Sequence, residues 1–162
     1  MRATGLSLTY GSTVVLDDVT VEVAPGELVV LTGEDGCGTT SLLQLLPGTR
    51  LDAPPGEEWD PADVVPPGLA LAVHLAGREL WTLSGGERQR VRLSQVLEAD
   101  VLLLDEGLGA LDSAGAQEVL AALRARADTG ACVLLVAKGD ERAYAAADRV
   151  LLLSGGRLRP WS

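Results

Sequence analysis

Residues 5–32 alternate apolar and polar side chains with a period of two, through GLSLTY, then VTVEV, then a turn at Pro25-Gly26, then ELVVLT. That period predicts short strands, and the last of them, apolar on both faces, predicts a buried one. TTSLLQLL, residues 39–46, changes to a helical pattern directly after a glycine-rich stretch. Six of the eight prolines fall between residues 47 and 67, where regular structure is not expected to persist beyond one short strand around Glu57 to Trp59. GLALAVHLAGRELWT predicts a brief helix and a connection. A longer helix is expected to start at Ser84, because Ser84 and Glu87 have the spacing of a capping box. ADVLLLDEG, CVLLVAK and RVLLL read as strands, SAGAQEVLAALRARA and DERAYAAADR as helices, and SGGR as a turn.

Strands alternating with helices predict an α/β fold with a mostly parallel, doubly wound sheet, whose chemistry belongs at the carboxyl ends of the strands. With 162 residues, 47% of them hydrophobic, the chain suits one domain, residues 1–162. No apolar segment approaches the length needed to cross a bilayer, and MRATGLSLTYG lacks the pattern of a secretion signal. A formal charge of -10 disfavours nucleic acid as a partner, since its backbone would be repelled. The two cysteines, Cys37 and Cys132, suit a reducing cytosol better than a disulfide scaffold. Lys138 is the only lysine, against twelve arginines.

The chemistry begins at residues 33–41, GEDGCGTTS, placed between a buried strand and a helix. Its spacing is that of a phosphate-binding loop: Gly33, Gly36 and Gly38 let the backbone curl around a triphosphate, Thr40 supplies a hydroxyl for Mg²⁺, and Ser41 follows. Thr39 stands where such a loop carries a lysine. Further on, a strand ends in Asp105 and Glu106, which suit a hard cation and a general base respectively. A strand-end turn is the bland alternative.

LSGGERQR at residues 83–90, followed by VLLLDE and GALD, resembles the ATPase subunits of ABC transporters, and the ordered motifs run from Tyr10 to the terminal GGRL. The resemblance implies a P-loop NTPase fold of the ABC ATPase type with a small antiparallel β part, binding ATP and Mg²⁺. It implies that Tyr10 stacks on adenine, the alternative being an ordinary surface tyrosine. Gly33, Gly36, Gly38, Thr39, Thr40 and Ser41 would cradle the phosphates, Thr40 and Asp105 would hold the metal, and Glu106 would polarise the attacking water. Ser84, Gly85 and Gly86 would bind the γ-phosphate of ATP held by an opposite subunit. An ordinary capped helix explains Ser84 and Glu87 but not the double glycine.

Three departures qualify that picture. The loop lysine is absent and Glu34 and Asp35 make the loop negative. Losing a unit charge at about 4 Å from a phosphate removes roughly 4 kcal/mol at an effective dielectric of 20, or about three orders of magnitude in affinity. Lys138 stands where the family carries a histidine facing the γ-phosphate, so the chain has lost a cation on one side of the phosphate site and gained one on the other. Compensation by Lys138 and drift after loss of function are the two explanations. Lastly, only 51 residues (84 − 33) separate Gly33 from Ser84, so a deletion near Pro66-Pro67 is expected to have removed the glutamine loop and most of the helical subdomain. His74 reads as a histidine packed in an apolar helix rather than a ligand.

The elements of the chain's own ATP site are damaged, whereas those a partner would use are intact. The favoured reading is a degenerate, cytoplasmic ABC ATPase subunit whose signature completes an ATP site in a competent partner, as a heterodimer in preference to a homodimer, peripheral to the membrane through a permease. A minimal ATPase working through Lys138 and a nucleotide-free scaffold are the alternatives.

Overall fold

The computed structural model describes residues 1–51, 73–105, 108–109 and 111–161. The expected strand around Glu57 to Trp59, the deletion point at Pro66-Pro67, and Glu106 lie outside the described residues.

β1 (Arg2–Tyr10) and β2 (Thr13–Glu22) form an antiparallel hairpin. β2 starts six residues before the VTVEV segment, because a bulge interrupts the alternation that would have marked it. Three residues of β1, from Leu6 to Leu8, oppose four of β2, from Val19 to Leu16, and Asp18 takes φ 50°. The extra residue restores the inward set, so Leu16, Val19 and Val21 are all buried.

Among the described residues the main sheet has six strands in the order β4-β5-β6-β3-β7-β8: β3 (Leu28–Thr32), β4 (Thr49–Leu51), β5 (Val101–Leu104), β6 (Cys132–Val136), β7 (Arg149–Ser154) and β8 (Arg157–Pro160). All neighbours pair in parallel except β7 and β8. β4 corrects the expectation of irregular chain after residue 47: Thr49, Arg50 and Leu51 contain no proline and gain a partner in β5. β8, charged and without apolar alternation, exists because the Gly155-Gly156 turn folds it back along β7.

Four helices complete the described chain: α1 (Thr39–Leu45), α2 (Gly85–Val96), α3 (Ser113–Asp128) and α4 (Glu141–Ala146). Each central strand buries alternate residues on opposite faces. Leu28, Val30, Leu102, Leu104, Val133 and Leu135 meet α2, α3 and α4, and α3 contributes Ala116, Val119, Leu120, Leu123 and Ala127 at helical spacing. Val29, Leu31, Leu103, Leu134 and Val136 face α1 and the hairpin instead. Of the stretch expected to form a brief helix before Ser84, residues 68–72 lie outside the described residues and the remainder forms two 3-10 turns, Val73–Leu75 and Leu80–Thr82, whose Leu75 and Leu80 pack with Leu83 and Val91 beneath the start of α2. His74 is exposed on the first turn, not packed as the sequence suggested.

Candidate functional site

β5, β6 and β3 are consecutive in the sheet and parallel, so their carboxyl ends open on one edge. Leu31 pairs with Val136 and Leu104 with Leu135. Extending that register past the strand ends brings Gly33, Lys138 and Asp105 to the same edge. Residues widely separated in sequence thus converge where an open α/β sheet binds ligands.

The glycine loop follows β3. A Cβ on Gly33 would lie 2.6 Å from the carbonyl oxygen of Leu153 and 2.5 Å from Cys37 Sγ, so only glycine fits against β7 there. Gly38 caps α1 with φ 102°, and a Cβ on it would lie 2.6 Å from Val15 Cγ1 of the hairpin. Gly36 also has positive φ. Thr39, in the lysine's place, is 4% exposed and faces the interior. It cannot reach outward as the missing lysine would. Ser41 is half-buried in the first turn of α1.

Thr40 Oγ1 donates a 2.7 Å hydrogen bond to Asp105 Oδ2, linking α1 to the end of β5. Asp105 is buried, and its second oxygen, Oδ1, has no hydrogen-bond partner among the described residues. A carboxylate oxygen so placed is suited to a cation or its water.

Lys138 Nζ lies 2.9 Å from Asp35 Oδ1, so the only lysine reaches the glycine loop across the sheet edge. The hydrogen bond from Lys138, with the attraction of its ammonium, lowers the pKa of the Asp35 carboxyl. A cavity of about 300 Å³ opens beside the pair, lined also by Leu108, Gly109 and Asp140. Sequence reasoning missed what sets Lys138 in place. The Tyr144 hydroxyl accepts from Gly139 N at 2.8 Å and lies 2.9 Å from Thr32 Oγ1, tying the turn after β6 to the end of β3. No local signal announces a contact spanning 112 residues. Tyr10, at the turn end of the hairpin, is 61% exposed.

The signature stretch is built separately at the start of α2. Ser84 N donates to Glu87 Oε2 at 2.8 Å and Glu87 N donates to Ser84 Oγ at 3.3 Å, the reciprocal pair expected from the spacing. Arg78 Nη1 adds an ion pair to Glu87 Oε1 at 2.8 Å. The Ser84 backbone N–H foremost, then its side chain and Arg78, pull the Glu87 carboxyl down to about 2. Ser84 and Gly85 are exposed and Gly86 is half-buried. A Cβ on Gly85 would meet nothing within 4 Å. In the GALD segment Asp112 caps α3, accepting from Gly115 N at 2.7 Å.

No protein-family model matches the sequence. Curated relatives do. The aliphatic sulfonates import ATP-binding protein of Streptomyces avermitilis is 35% identical, with 96% of this chain and 74% of the relative covered. The zinc import ATP-binding protein of Roseobacter denitrificans is 34% identical, over 93% and 74%. The first alignment spans 193 positions against 162 residues in this chain, so at least 31 positions of the relative (193 − 162) have no counterpart here. Among solved structures, a dimeric bacterial ABC transporter cassette superposes with a TM-score of 0.78 at 18% identity, covering 98% of this chain and 97% of that one. With the loop, the strand-end carboxylate and the capped signature helix on one such sheet, the chain belongs to the ATP-binding subunits of ABC transporters, as a shortened member.

Proposed function

We propose that this chain is an asymmetric partner within an ABC-type ATPase pair, lending its signature helix to an ATP site whose phosphate loop belongs to a competent second subunit. The observation that carries the reading is Gly85. It is exposed, with open space where a side chain would stand, so none of the described residues requires a glycine there. A helix start normally avoids the entropic cost of two glycines, and close approach by an external group is what their presence suits. The capping box holds Ser84 in a fixed orientation at that surface. The dimeric arrangement of the structurally similar cassette is consistent with such pairing.

The chain's own loop is poorly equipped for hydrolysis. Thr39 replaces the lysine and is buried, and Glu34 and Asp35 add negative charge where phosphates would sit. Thr40 and Asp105 nevertheless form a donor set that fits Mg²⁺, with Asp105 Oδ1 unpartnered among the described residues. A divalent ion held there would offset phosphate charge. Asp105 would orient it through water, and Thr40 would bind it directly. Glu106 keeps its role as a general base only if the loop binds nucleotide at all.

The test is reconstitution with the full-length ABC ATPase encoded nearest to this chain. Mixing should raise the partner's ATPase rate severalfold, and Ser84→Arg should return the rate to that of the partner alone. Unchanged stimulation by the Ser84→Arg protein would overturn the reading.

A second reading, a minimal ATPase, is favoured by one contact: Lys138 reaches the glycine loop at Asp35. On that reading Lys138 supplies the charge the loop lacks. In calorimetric titration with Mg-ATP, Lys138→Ala should then abolish binding and Thr39→Lys should restore it. Indifference to both changes would remove this alternative.

A further inference from the structure

We infer that Asp35 is a built-in counter-ligand for Lys138, so that a polyphosphate enters the glycine loop by displacing a carboxylate of the chain itself. The inference rests on the second reading above for the anion-binding role of Lys138 and adds the regulation of that site.

Three observations carry it. Lys138 Nζ and Asp35 Oδ1 are 2.9 Å apart and belong to different strand ends, so their pairing closes one side of the loop onto the turn after β6. The two partners are unequally fixed. The Lys138 side chain is 26% exposed, and the Tyr144 hydroxyl pins the adjoining Gly139. The Asp35 side chain is 98% exposed and follows Glu34 into a loop whose next residue, Gly36, takes positive φ. The ammonium is therefore held at the sheet edge while the carboxylate can rotate into solvent. Finally, the pair borders the 300 Å³ cavity, whose wall also includes Leu108 and Gly109 after β5. Asp105 lies at the end of that same strand.

An exposed carboxylate is a weak competitor, because water and salt screen it and its rotamers are ordered by pairing. A multiply charged phosphate at the same ammonium forms stronger charge-assisted hydrogen bonds. Exchange then favours polyanions of high charge density over monoanions such as acetate. Glu34 supplies the internal comparison: it carries the same charge one residue earlier in the loop, and the described residues show no ion pair for it.

The experiment is a double-mutant cycle on the full chain, read by calorimetric titration with inorganic tripolyphosphate in the presence of Mg²⁺. Asp35→Asn should tighten binding by about fivefold. In the Lys138→Gln background the same substitution should give no gain, because the group that Asp35 competes for has gone. Glu34→Gln should give a smaller gain that does not depend on Lys138. Equal tightening by Asp35→Asn with and without Lys138 would overturn the inference, reducing Asp35 to general repulsion while leaving Lys138 as an anion ligand. An unchanged wild-type affinity on Lys138→Gln would overturn the role of Lys138 as well. No binding by any of the four proteins of the cycle would overturn both. Thermal midpoints of the variants, measured without ligand, keep losses of folding apart from losses of binding.

Discussion

Glu87 holds the start of α2 through one carboxylate that accepts from the Ser84 N–H and from Arg78. Its lowered pKa makes the cap a pH-dependent contribution to stability. A group depressed in the folded state stabilises above its unfolded pKa, about 4.3, and loses that contribution as the pH falls toward about 2. Glu87→Ala should therefore destabilise the chain by about 1 kcal/mol at neutral pH in urea denaturation. The gap from wild type should close progressively below pH 4.5. A gap that stays constant down to pH 2 would show that the loss is of packing, not of the ionised cap. The Ser84–Glu87 pair was legible because capping is local, three residues apart along one turn. Arg78 was not, because its reach depends on the 3-10 turn Leu80–Thr82 that separates it from the helix. Thr40 and Asp105 were each legible as residues, but their 2.7 Å contact joins positions 65 apart.

Strands and helices were legible wherever burial imposes a period. β3, β5 and β6 are apolar on both faces because both faces are covered, and α3 presents its buried residues in the spacing of one helical stripe. The elements that sequence reasoning missed are those made by pairing: β4, the front half of β2 beyond its bulge, and β8. Asp148 illustrates how elements are joined without local signal. Its Oδ2 accepts from Leu28 N at 2.8 Å and from Arg124 Nη1 at 2.6 Å, while Arg124 Nη2 donates to Gly26 O at 2.7 Å. The residue just before β7 thus fastens the start of β3 to α3. The Leu28 N–H first, then Arg124, lower the Asp148 pKa, so its contribution is present above about 3.9 and is lost in acid. Asp148 is 48% exposed, and solvent screening limits the effect. Asp148→Asn should cost about 1 kcal/mol at pH 7 in chemical denaturation. The cost should shrink as the pH falls below the ordinary aspartate range, and a penalty that stays constant into acid would assign the effect to geometry alone.

At the scale of the molecule, one sheet edge carries a glycine loop with Thr39 buried in the lysine's place, and a separate helix start carries the capped Ser84-Gly85-Gly86 stretch. That asymmetry is the basis of the proposed pairing, and the stimulation lost on Ser84→Arg is the property of the assembled pair that reports it. A net charge of -10 also means that association with another acidic protein depends on matched local surfaces and weakens at low salt, where self-repulsion is unscreened. The chain's buried central strands, its longer helices, its glycine loop, its capped helix start and its family were settled by sequence alone, because each is written in residues close together or in a period that burial enforces. Tertiary structure alone decided that Thr39 turns inward, that Lys138 meets Asp35 rather than open solvent, and that Asp105 keeps one oxygen without a partner among the described residues. Those facts depend on which strand ends are neighbours in the sheet, and distance across a fold is not encoded in distance along a chain.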